Sequence, residues 1–573
     1  MRAAYIVRVQ VILFCASVVA LALIGRLYHL QIVHGAEYRN EAASQYVEST
    51  SNLFDRGDIY FTKKDGERIA ASVVMDGYVL AIKPNIMQEP KRVFEALRPY
   101  IDLDRETFMA HAAKADDPYE EIAHQVDRET AAKIRELELS GVALYRETWR
   151  YYPADGLASH ALGFVGYGAD GHERVGLYGL ERYWQSVLSR SESELYVNFF
   201  AELFANVAEG VPEEAPRERA GDVVTSIEPS VQRTLQAVLR DTQEAWQAKQ
   251  LAGLIMDPQT GDVIALGALP TYNTNHYADV EDLRVYQNPL VEDVYEMGSI
   301  VKPVAMAIGL DEGAVTPETT YDDTGMVRIN GYPIRNYDGR ARGEVDMQEV
   351  LNQSLNVGMA HVAREVGGER LGERMRALGF GQETGIDLPN EVYGLVDNLT
   401  SPREVEYATA AFGQGIALTP VATARALAAL GNGGYLVTPH LVQTIDYEHG
   451  REGNVSIDER TRVFSEETSE EITRMLVNVV DDALRHGEVA KEHYSIAAKT
   501  GTAQIAKTTE RGYYEDKFLH SFFGYFPAYE PRFLIFLFHT EPQGAQYASE
   551  TLTDPFMELV DFLINYYEIP PDR

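Results

Sequence analysis

The chain has 573 residues, of which 45% are hydrophobic, and it includes 34 tyrosines and 21 phenylalanines. This is ample material for packed cores, so the composition excludes a largely disordered polypeptide. The length predicts three or four domains, or two large ones. The 87 acidic side chains outnumber the 51 basic ones and give a formal net charge of −36. Such a surface repels phosphate backbones, which argues against a nucleic-acid partner.

Cysteine and histidine usage argues against two further kinds of site. Cys15 is the single cysteine, so no disulfide can form within the chain. The 14 histidines show neither an H-x-x-x-H spacing nor a mixed Cys/His spacing. The sequence therefore predicts no metal site and no cofactor.

Residues 9–30 predict a membrane anchor near the start of the chain. The segment is apolar up to residue 25 apart from Gln10 and Ser17, and it continues beyond that point in amphipathic form. A helix needs about 20 apolar residues to span a bilayer, and the apolar part is close to that length. Small residues at 20–22 offer the alternative of a cleaved signal peptide, but we favour the uncleaved anchor.

The charges before this segment predict its orientation. Arg2 and Arg8 precede it, and basic residues favour the cytoplasmic side of a membrane. We expect residues 1–8 to be a cytoplasmic tail. Everything after residue 30 is then expected to lie on the extracytoplasmic side of a single-pass protein.

Residues 31–215 predict a mixed domain of short strands and amphipathic helices. Apolar residues recur at helical spacing in residues 93–98 and 128–139. Residues 209–221 are rich in Glu, Pro and Arg, which is typical of a solvated connector. We therefore place the domain boundary between residues 215 and 216.

Residues 216–573 predict a second domain built around one mixed sheet with flanking helices. Strand patterns occur near both ends of this region, and helical patterns lie between them. The turn residues Pro258 to Gly261 predict a β-hairpin. We expect strands at 222–227, 251–257, 262–266, 521–526 and 532–539, and helices at 229–247 and 554–567.

Ser299 and Lys302 form the first of three short motifs that carry chemistry. This Ser-x-x-Lys pattern occurs once in the chain, at the head of a helical pattern that is expected to end near Gly313. Residues three apart share one face of a helix, so the lysine can lie beside the hydroxyl. A serine hydroxyl is a poor nucleophile until a base removes its proton, and Lys302 is the candidate base.

Lys302 can act as a base only if it is uncharged at the working pH. Lowering the pKa of a lysine from about 10.4 to near 7 costs about 4–5 kcal/mol. A helix N-terminus supplies only about 0.3–1 kcal/mol. Burial and a second cation must supply the rest, and we predict that Lys499 is that cation.

Ser354 and Asn356 form the second motif, in a short turn after the amphipathic residues 346–351. The hydroxyl of Ser354 is placed to relay a proton between Lys302 and a leaving amine. The amide of Asn356 can bind a substrate carbonyl. Taken alone, a polar pair between two helices would explain these residues equally well.

Residues 499–502 are Lys-Thr-Gly-Thr, the third motif, and they close the strand pattern of residues 494–498. Strand alternation places Lys499 and Gly501 on one face, which we take to be the face of a groove. We expect Gly501 to leave room for a substrate backbone. An extended peptide can then lie antiparallel along this strand.

The three motifs together describe one acyl-transfer site. Each motif is weak by itself, but their order along the chain fits a single catalytic machine. The main-chain N–H groups of Ser299 and Thr502 are predicted to form an oxyanion hole, in which each donor is typically worth about 2.7–4 kcal/mol. The sequence therefore indicates a serine acyltransferase.

The chain resembles the class B penicillin-binding proteins, the membrane-anchored D,D-transpeptidases that cross-link peptidoglycan. The resemblance runs from about residue 26 to the C-terminus. Outside the three motifs it is carried by Arg56 and Gly57, Arg150, Tyr152 and Pro153, Gly176, Gly179 and Glu181, Asp257, Pro258 and Gly261, residues 270–273, Gly413, Gln414 and Gly415, and Thr419 and Pro420. Met297 departs from the pattern, since the family usually has proline there.

The resemblance implies an α+β protein with one anchor helix, an elongated non-catalytic pedestal and a serine transpeptidase domain with a central antiparallel sheet flanked by helices. Its substrate would be a stem peptide ending in D-Ala-D-Ala, and β-lactams would mimic that donor. A membrane glycosyltransferase and proteins of the division or elongation complex are the implied partners. The implied location is the inner membrane, with the catalytic domain in the periplasm.

The resemblance also assigns roles to the motif residues. It makes Ser299 the acylated nucleophile and Lys302 its base. The remaining catalytic residues are Ser354, Asn356 and Lys499, and the substrate-binding residues are Thr500, Gly501 and Thr502. Arg56, Arg150 and Glu181 are expected to form a structural ion-pair network.

Two finer questions stay open at this stage. Residues 301–303 and 327–331 look more like septal enzymes than elongation enzymes, so we favour a septal role. One alternative function is hydrolysis of the acyl-enzyme, as in a D,D-carboxypeptidase or a β-lactamase. The other alternative is a non-catalytic divisome scaffold or β-lactam sensor that keeps the fold.

Overall fold

The structure, a computed structural model, describes residues 54–168, 173–190, 220–448, 450, 452–455, 460–507 and 512–573. The predicted tail and anchor and the predicted boundary after residue 215 lie outside these residues. Within them, no helix has both the length and the apolar character needed to cross a bilayer. The described chain divides into two compact units, of which the smaller contains residues 54–55 and 74–149 and the larger contains residues 56–73 and the described residues from 150 onward.

The strands of the described residues are numbered in chain order. They are β1 (Ile59–Thr62), β2 (Arg68–Ile82), β3 (Glu120–Val126), β4 (Val142–Tyr151), β5 (Val165–Tyr167), β6 (Arg174–Gly176), β7 (Gly221–Thr225), β8 (Gln250–Met256), β9 (Val263–Leu269), β10 (Thr320–Asp323), β11 (Met326–Ile329), β12 (Tyr332–Arg335), β13 (Gly343–Asp346), β14 (Tyr435–Leu436), β15 (Val442–Tyr447), β16 (Glu452–Asn454), β17 (Thr461–Arg462), β18 (Ala497–Ala506), β19 (Tyr513–Phe526) and β20 (Phe533–Thr540).

The α-helices are numbered in the same way. They are α1 (Pro90–Leu97), α2 (Arg105–Ala112), α3 (Arg128–Glu136), α4 (Ser159–Leu162), α5 (Gly179–Tyr183), α6 (Gln185–Leu188), α7 (Pro229–Trp246), α8 (Lys302–Asp311), α9 (Met347–Asn352), α10 (Asn356–Val366), α11 (Gly368–Ala377), α12 (Glu404–Ala410), α13 (Pro420–Ala428), α14 (Glu466–Asn478), α15 (Ala548–Thr551) and α16 (Thr553–Tyr566).

The smaller unit contains both helices predicted for this part of the chain. Helix α1 covers the predicted residues 93–98 except the last, and α3 covers most of 128–139. The side chain of Asp127 caps α3 by accepting hydrogen bonds from the backbone N–H groups of Glu129 and Thr130. These helices pack with α2 and the strands around one apolar core, formed by Leu80, Ile82, Val93, Phe94, Leu97, Phe108, Val126 and Ile134.

The larger unit is built on a five-stranded sheet in the order β18-β19-β20-β8-β9, with every neighbouring pair antiparallel. The predicted central antiparallel sheet with flanking helices is confirmed. Successive side chains of β19 lie on opposite faces of the sheet. Phe522 packs on Phe556 of α16, with ring centroids 4.3 Å apart, in a core that also contains residues of α7. Phe523 belongs to the core on the other face, which includes α8.

The bounds predicted for the third-motif strand were wrong. The strand pattern was assigned to residues 494–498 with the motif closing it, whereas β18 begins at Ala497 and continues through the motif. The backbone N–H of Ser495 instead donates to the side chain of Asp572, at 2.8 Å, which keeps residue 495 outside the ladder. Pairing with β19 continues from Lys499 opposite Phe523 to Gln504 opposite Phe518.

The larger unit contains the ion-pair network expected from the sequence. Both oxygens of the Glu181 carboxylate are engaged: Arg56 Nε and Arg150 Nε each donate to one of them at 2.6 Å. The hydroxyl of Ser72 donates to the same carboxylate at 3.1 Å. All three charged side chains are buried. Burial alone would raise the pKa of Glu181, but Arg150 and Arg56 hold it below its usual value.

Candidate active site

Ser299 lies in a 3₁₀ turn, Gly298–Val301, that leads directly into α8. Lys302 is the first residue of this helix, and Pro303 occupies its first turn, where a missing N–H removes no helical hydrogen bond. The sequence placed Ser299 at the N-terminus of the α-helix, and the structure places it in the tighter turn just before it. Ser299 is half-buried, whereas Lys302 is fully buried.

The backbone around Ser299 is held by contacts from distant parts of the chain. Gly298 has a φ of +64° and donates its N–H to the carbonyl of Gly413 at 3.2 Å. A Cβ atom at Gly413 would lie 2.2 Å from the Gly298 oxygen, so only glycine allows this approach. The hydroxyl of Ser521 donates to the carbonyl of Met297 at 3.0 Å. The sequence showed Gly413 only as part of the family resemblance, and the structure gives its physical role.

Gly501 makes room for the chain itself. A Cβ atom at this position would lie 2.4 Å from the Ser521 hydroxyl and 2.8 Å from the Met297 carbonyl oxygen. The chain itself therefore needs the space at Gly501, and contact between Gly501 and a substrate backbone stays a prediction. The residue lets β18 approach the turn that carries Ser299.

Lys302 and Ser354 are in direct contact. The Lys302 side-chain nitrogen Nζ lies 3.1 Å from Ser354 Oγ and 2.5 Å from the Ser354 carbonyl oxygen. Ser354 lies between α9 and α10 with a φ of +55°, a conformation that glycine adopts more easily. A strained serine at this point is consistent with a need for its hydroxyl. The contact is the geometry that the predicted proton relay requires.

Asn356 is the first residue of α10 and lies at the edge of this arrangement. Its side-chain nitrogen Nδ2 donates to the carbonyl of Arg335 at 2.9 Å. The amide therefore fastens α10 to the end of β12. This contact was not expected from the sequence, which gave the amide a substrate carbonyl as its partner.

Burial and a neighbouring cation both act on Lys302. Burial lowers the pKa of Lys302 well below its ordinary value, and the charge of Lys499 lowers it further. These are the two contributions expected from the sequence. Burial also lowers the pKa of Lys499, to about 8. Both effects therefore favour the uncharged form of Lys302, whereas a pKa of about 8 keeps Lys499 mostly charged at neutral pH.

Strand β18 forms the edge of the central sheet beside the Ser299 turn. Lys499 Nζ donates to the carbonyl of Thr500 at 3.0 Å, and Thr502 Oγ1 accepts from the N–H of Ala548 at 3.0 Å. A Cβ atom at Gly298 would lie 3.1 Å from the carbonyl oxygen of Thr502, so the main chains of the first and third motifs are neighbours. An edge strand can accept an extended peptide as a further strand.

Glu296 is a site residue that the sequence analysis missed. One of its carboxylate oxygens accepts hydrogen bonds from the N–H of Gly415, at 3.1 Å, and from the hydroxyl of Tyr513, at 3.2 Å. Burial raises the pKa of Glu296. The carboxylate thus connects the Ser299 turn to the 413–415 segment and to β19. The signal available in the sequence was the position of Glu296, a carboxylate three residues before the candidate nucleophile Ser299.

The arrangement combines a serine hydroxyl, a buried lysine of lowered pKa, a second hydroxyl and a second lysine beside an edge strand. These groups can activate a nucleophile, move its proton and bind an anionic, extended donor. Among the described residues, no three His, Cys, Asp or Glu side chains are grouped in a way that would bind a metal ion. The site is that of a serine acyltransferase.

The pH dependence of acylation by a β-lactam should report both lysines. Replacing Lys499 with methionine removes a positive neighbour, so the pKa of Lys302 rises and the acid limb of the profile moves to higher pH. The alkaline limb near pH 8 should disappear with Lys499 itself. Loss of this charge should also slow acylation by an anionic β-lactam about tenfold at low ionic strength. Rates are followed by stopped-flow at pH 5–10.

The matched control is Lys499→Arg, which keeps its charge over the whole range. Its acid limb should stay in place, while its alkaline limb should move beyond the range measured. An acid limb that does not move in Lys499→Met would contradict the electrostatic coupling of the two lysines.

Comparison with known proteins agrees with this site. Residues 251–559 match the family described as the penicillin binding protein transpeptidase domain, and residues 54–202 match the penicillin-binding protein dimerisation domain. Stage V sporulation protein D of Bacillus subtilis is 27% identical over 557 residues, covering 96% of this chain and 84% of the relative. Peptidoglycan D,D-transpeptidase FtsI of Escherichia coli is 26% identical over 579 residues, covering 98% and 92%.

The fold is also found among solved structures. Penicillin binding protein 3 of Mycobacterium tuberculosis, complexed with aztreonam, has a TM-score of 0.68 and 21% identity, covering 91% of this chain and 98% of that one. The fold and the site thus define a penicillin-binding protein of class B. The transpeptidase match covers more than half of the chain, and the chain belongs to the penicillin-binding protein transpeptidase family.

Proposed function

We propose that this protein is a peptidoglycan D,D-transpeptidase that cross-links stem peptides through an acyl-enzyme on Ser299. The observation that carries the proposal is the buried Lys302, whose pKa is lowered by burial and by Lys499, in contact with Ser354 and at the start of the helix that follows the Ser299 turn. The name of the Escherichia coli relative, a peptidoglycan D,D-transpeptidase, supports the same activity. The aztreonam complex of the Mycobacterium tuberculosis protein supports β-lactam binding.

In the proposed acylation of Ser299, each of these groups has a defined role. Uncharged Lys302 removes the hydroxyl proton as the Ser299 oxygen attacks the carbonyl carbon of the penultimate D-Ala. The N–H groups of Ser299 and Thr502 stabilise the negative charge that develops on the carbonyl oxygen. The C–N bond breaks, and the proton passes from Lys302 through Ser354 to the leaving D-Ala amine. Lys302 is then uncharged again.

Deacylation reverses these roles. An amine from a neighbouring stem peptide attacks the ester carbonyl, and its proton passes through Ser354 to Lys302. The C–O bond breaks, and Lys302 returns the proton to the Ser299 oxygen. Lys499, the cation of the pair at neutral pH, attracts the carboxylate of the donor or of a β-lactam. Thr500 and Thr502 belong to the edge strand along which the donor lies.

The position in the cell is part of the proposal. Residues 1–8 form a cytoplasmic tail, 9–30 an inner-membrane anchor, 31–215 the non-catalytic pedestal and 216–573 the transpeptidase domain. This places the catalytic domain in the periplasm, next to a membrane glycosyltransferase and the division complex. The septal rather than the elongation role is supported by the motif at residues 327–331 and by the name FtsI of the Escherichia coli relative.

Mass spectrometry of the intact protein after exposure to a β-lactam tests the proposal. We expect one long-lived adduct per chain, and we expect proteolysis to locate it on the peptide that contains Ser299. The matched control is Ser299→Ala, which removes one oxygen from a half-buried position and should fold normally. An adduct of equal yield on the control variant would contradict the assignment of the nucleophile.

The same experiment separates the alternatives. Rapid consumption of the β-lactam without a lasting adduct would favour a hydrolase, either a D,D-carboxypeptidase or a β-lactamase. A non-catalytic scaffold or sensor would be favoured if Ser299→Ala supported normal division in cells that lack the wild-type protein.

A further inference from the structure

Three cross-strand neighbours form a polar row on one face of the central sheet. Thr502 of β18 lies opposite His520 of β19, and His520 lies opposite His539 of β20. Residues directly opposite each other in an antiparallel pair point to the same face, so the three side chains share one face. Both histidines are fully buried, and their ring centroids lie 5.1 Å apart. Buried imidazoles need hydrogen-bond partners, and one of these lies directly beside the third motif.

Helix α15 supplies partners for both histidines. The hydroxyl oxygen of Thr551 lies 2.9 Å from His520 Nδ1 and 2.8 Å from His539 Nε2. His520 Nε2 lies 3.1 Å from the carbonyl oxygen of Gln546, two residues before the helix. One threonine hydroxyl thus connects α15 to both β19 and β20.

The same helix is bound to the third motif. Ala548, the first residue of α15, donates its N–H to the Thr502 hydroxyl at 3.0 Å. Thr502 belongs to an edge strand, which has a hydrogen-bonded neighbour on one side only. A Cβ atom at Gly298 would lie 3.1 Å from the Thr502 carbonyl oxygen, so this point of β18 is next to the Ser299 turn. Helix α15 is therefore a second support for the edge strand where it meets the nucleophile.

The partners of the two histidines fix where each proton lies. A carbonyl oxygen can only accept, so neutral His520 carries its proton on Nε2, and its Nδ1 accepts from the Thr551 hydroxyl. The hydroxyl has one proton, so His539 Nε2 must donate to it. His539 Nδ1 is then a lone pair, and it is buried without a partner among the described residues. The carbonyl of Ala548, 3.4 Å from the same hydroxyl, is a more distant acceptor.

Both imidazoles are neutral at the pH of an ordinary assay. Burial lowers the pKa of His520 to about 4, although the Gln546 carbonyl and the charge of Glu550 act in the opposite direction. Burial, followed by the neighbouring His520, lowers the pKa of His539 to about 3. The hydrogen bonds from the histidines to α15 therefore keep one arrangement at neutral pH.

We propose that His520, Thr551 and His539 are positioning residues for acyl transfer: they fix α15, and α15 holds Thr502 beside the Ser299 turn. This inference rests on the proposed transpeptidase function, in which the Thr502 N–H stabilises the charge that develops on the donor carbonyl. Such a group is effective only if its position is fixed before the reaction begins. Pairing with β19 fixes β18 from one side, and the network through α15 fixes it at Thr502 itself.

Replacing Thr551 with valine tests the network, because valine keeps the shape of the side chain and removes the hydroxyl that both histidines contact. Stopped-flow acylation by a β-lactam separates the dissociation constant of the first complex from the rate constant of acylation. The rate constant should fall about ten- to a hundredfold, because a small misplacement of a catalytic group has an effect of this size. The dissociation constant should change less than about twofold, because the N–H acts on the transition state.

Two controls distinguish positioning from stability. Thr551→Ser keeps the hydroxyl and should restore the wild-type rate constant. Thr473→Val removes another buried threonine hydroxyl, which lies 2.8 Å from the Tyr525 hydroxyl and 3.3 Å from the Leu430 carbonyl oxygen. It should lower the midpoint of urea denaturation as Thr551→Val does, but it should leave the rate constant of acylation unchanged. Equal losses of rate in the two valine variants would overturn the positioning role.

A double-mutant cycle tests whether α15 acts through Thr502. Thr502→Val breaks the same connection at its other end, so Thr502→Val/Thr551→Val should be acylated as slowly as Thr502→Val alone. Effects that multiply, or a Thr551→Val variant acylated at the wild-type rate, would overturn the proposal. His539→Leu removes one donor to Thr551 and lets the same cycle be measured if Thr551→Val does not fold. A wild-type protein that no β-lactam acylates would instead overturn the proposed function, and this inference with it.

Discussion

Replacing Lys302 with methionine is expected to slow acylation of Ser299 by about 10²–10⁴-fold and to make the protein more stable. The loss of rate follows from removing the general base. The gain in stability follows from burial: Lys302 is fully buried, and burial together with Lys499 lowers its pKa well below the ordinary value. Keeping a lysine uncharged at pH 7 costs about 4–5 kcal/mol, and methionine avoids this cost.

The gain in stability depends on pH, and its size is set by two opposing contributions. Loss of the two contacts with Ser354 costs about 1 kcal/mol each, so we expect a net gain of about 2–3 kcal/mol at pH 7. The unfolded lysine binds a proton that the folded one does not, so the wild-type protein gains stability as pH rises towards about 10.4. The difference between the two proteins should shrink over that range. Denaturant unfolding at several pH values measures it.

Lys302→Arg is the control for this prediction. Arginine cannot lose its proton, so this variant should be both inactive and less stable than the wild-type protein. A Lys302→Met variant that is acylated within tenfold of the wild-type rate, or that unfolds more easily than the wild-type protein, would contradict a buried uncharged base.

Replacing Glu181 with alanine is expected to lower the free energy of unfolding by about 3–5 kcal/mol. The change leaves Arg56 and Arg150 buried without the carboxylate that both of them contact at 2.6 Å. Breaking a buried charge network by removing one member has a cost of this size. Urea denaturation measures the loss, and β-lactam labelling of the folded fraction should remain at the wild-type level because the network is not part of the active site.

A surface pair provides the matched control. Glu67 pairs with Lys63, but its side chain is 61% exposed, so Glu67→Ala should cost less than about 1 kcal/mol. Because the pKa of Glu181 is below its usual value, its contribution should be complete above about pH 5 and should be lost as the pH falls through the folded-state pKa. A Glu181→Ala variant as stable as Glu67→Ala would show that the arginines do not depend on this carboxylate.

Local patterns were sufficient for much of the fold. The hairpin β8–β9 was found because Pro258 to Gly261 is a clear turn signal, and α7 was found because its apolar residues recur at helical spacing. The motif residues were singled out as a candidate site because each type of chemistry needs particular residues at a particular spacing. A second cation beside Lys302 was inferred because the electrostatic effect of a helix N-terminus is too small to lower the pKa of Lys302 far enough.

What the sequence could not give are contacts between distant segments. Gly413 is more than a hundred residues from Gly298, and only the folded backbone shows that it supports the Ser299 turn. The bounds of β18 were missed because they are set by pairing with β19, a separate segment of the chain, and this pairing runs from Ala497 to Ala506. The positive φ of Ser354 leaves no trace in a pattern of apolar and polar residues.

The edge position of β18 has a consequence for solubility. The main-chain groups that receive a peptide are equally able to template the addition of another polypeptide, and such edges are where aggregation begins. The register of β18 against β19 becomes irregular between Gln504 and Ala506, a few residues beyond Thr502. Irregularities of this kind twist an edge away from flat pairing. The flat part of this edge that could pair with a foreign strand therefore ends a few residues beyond Thr502.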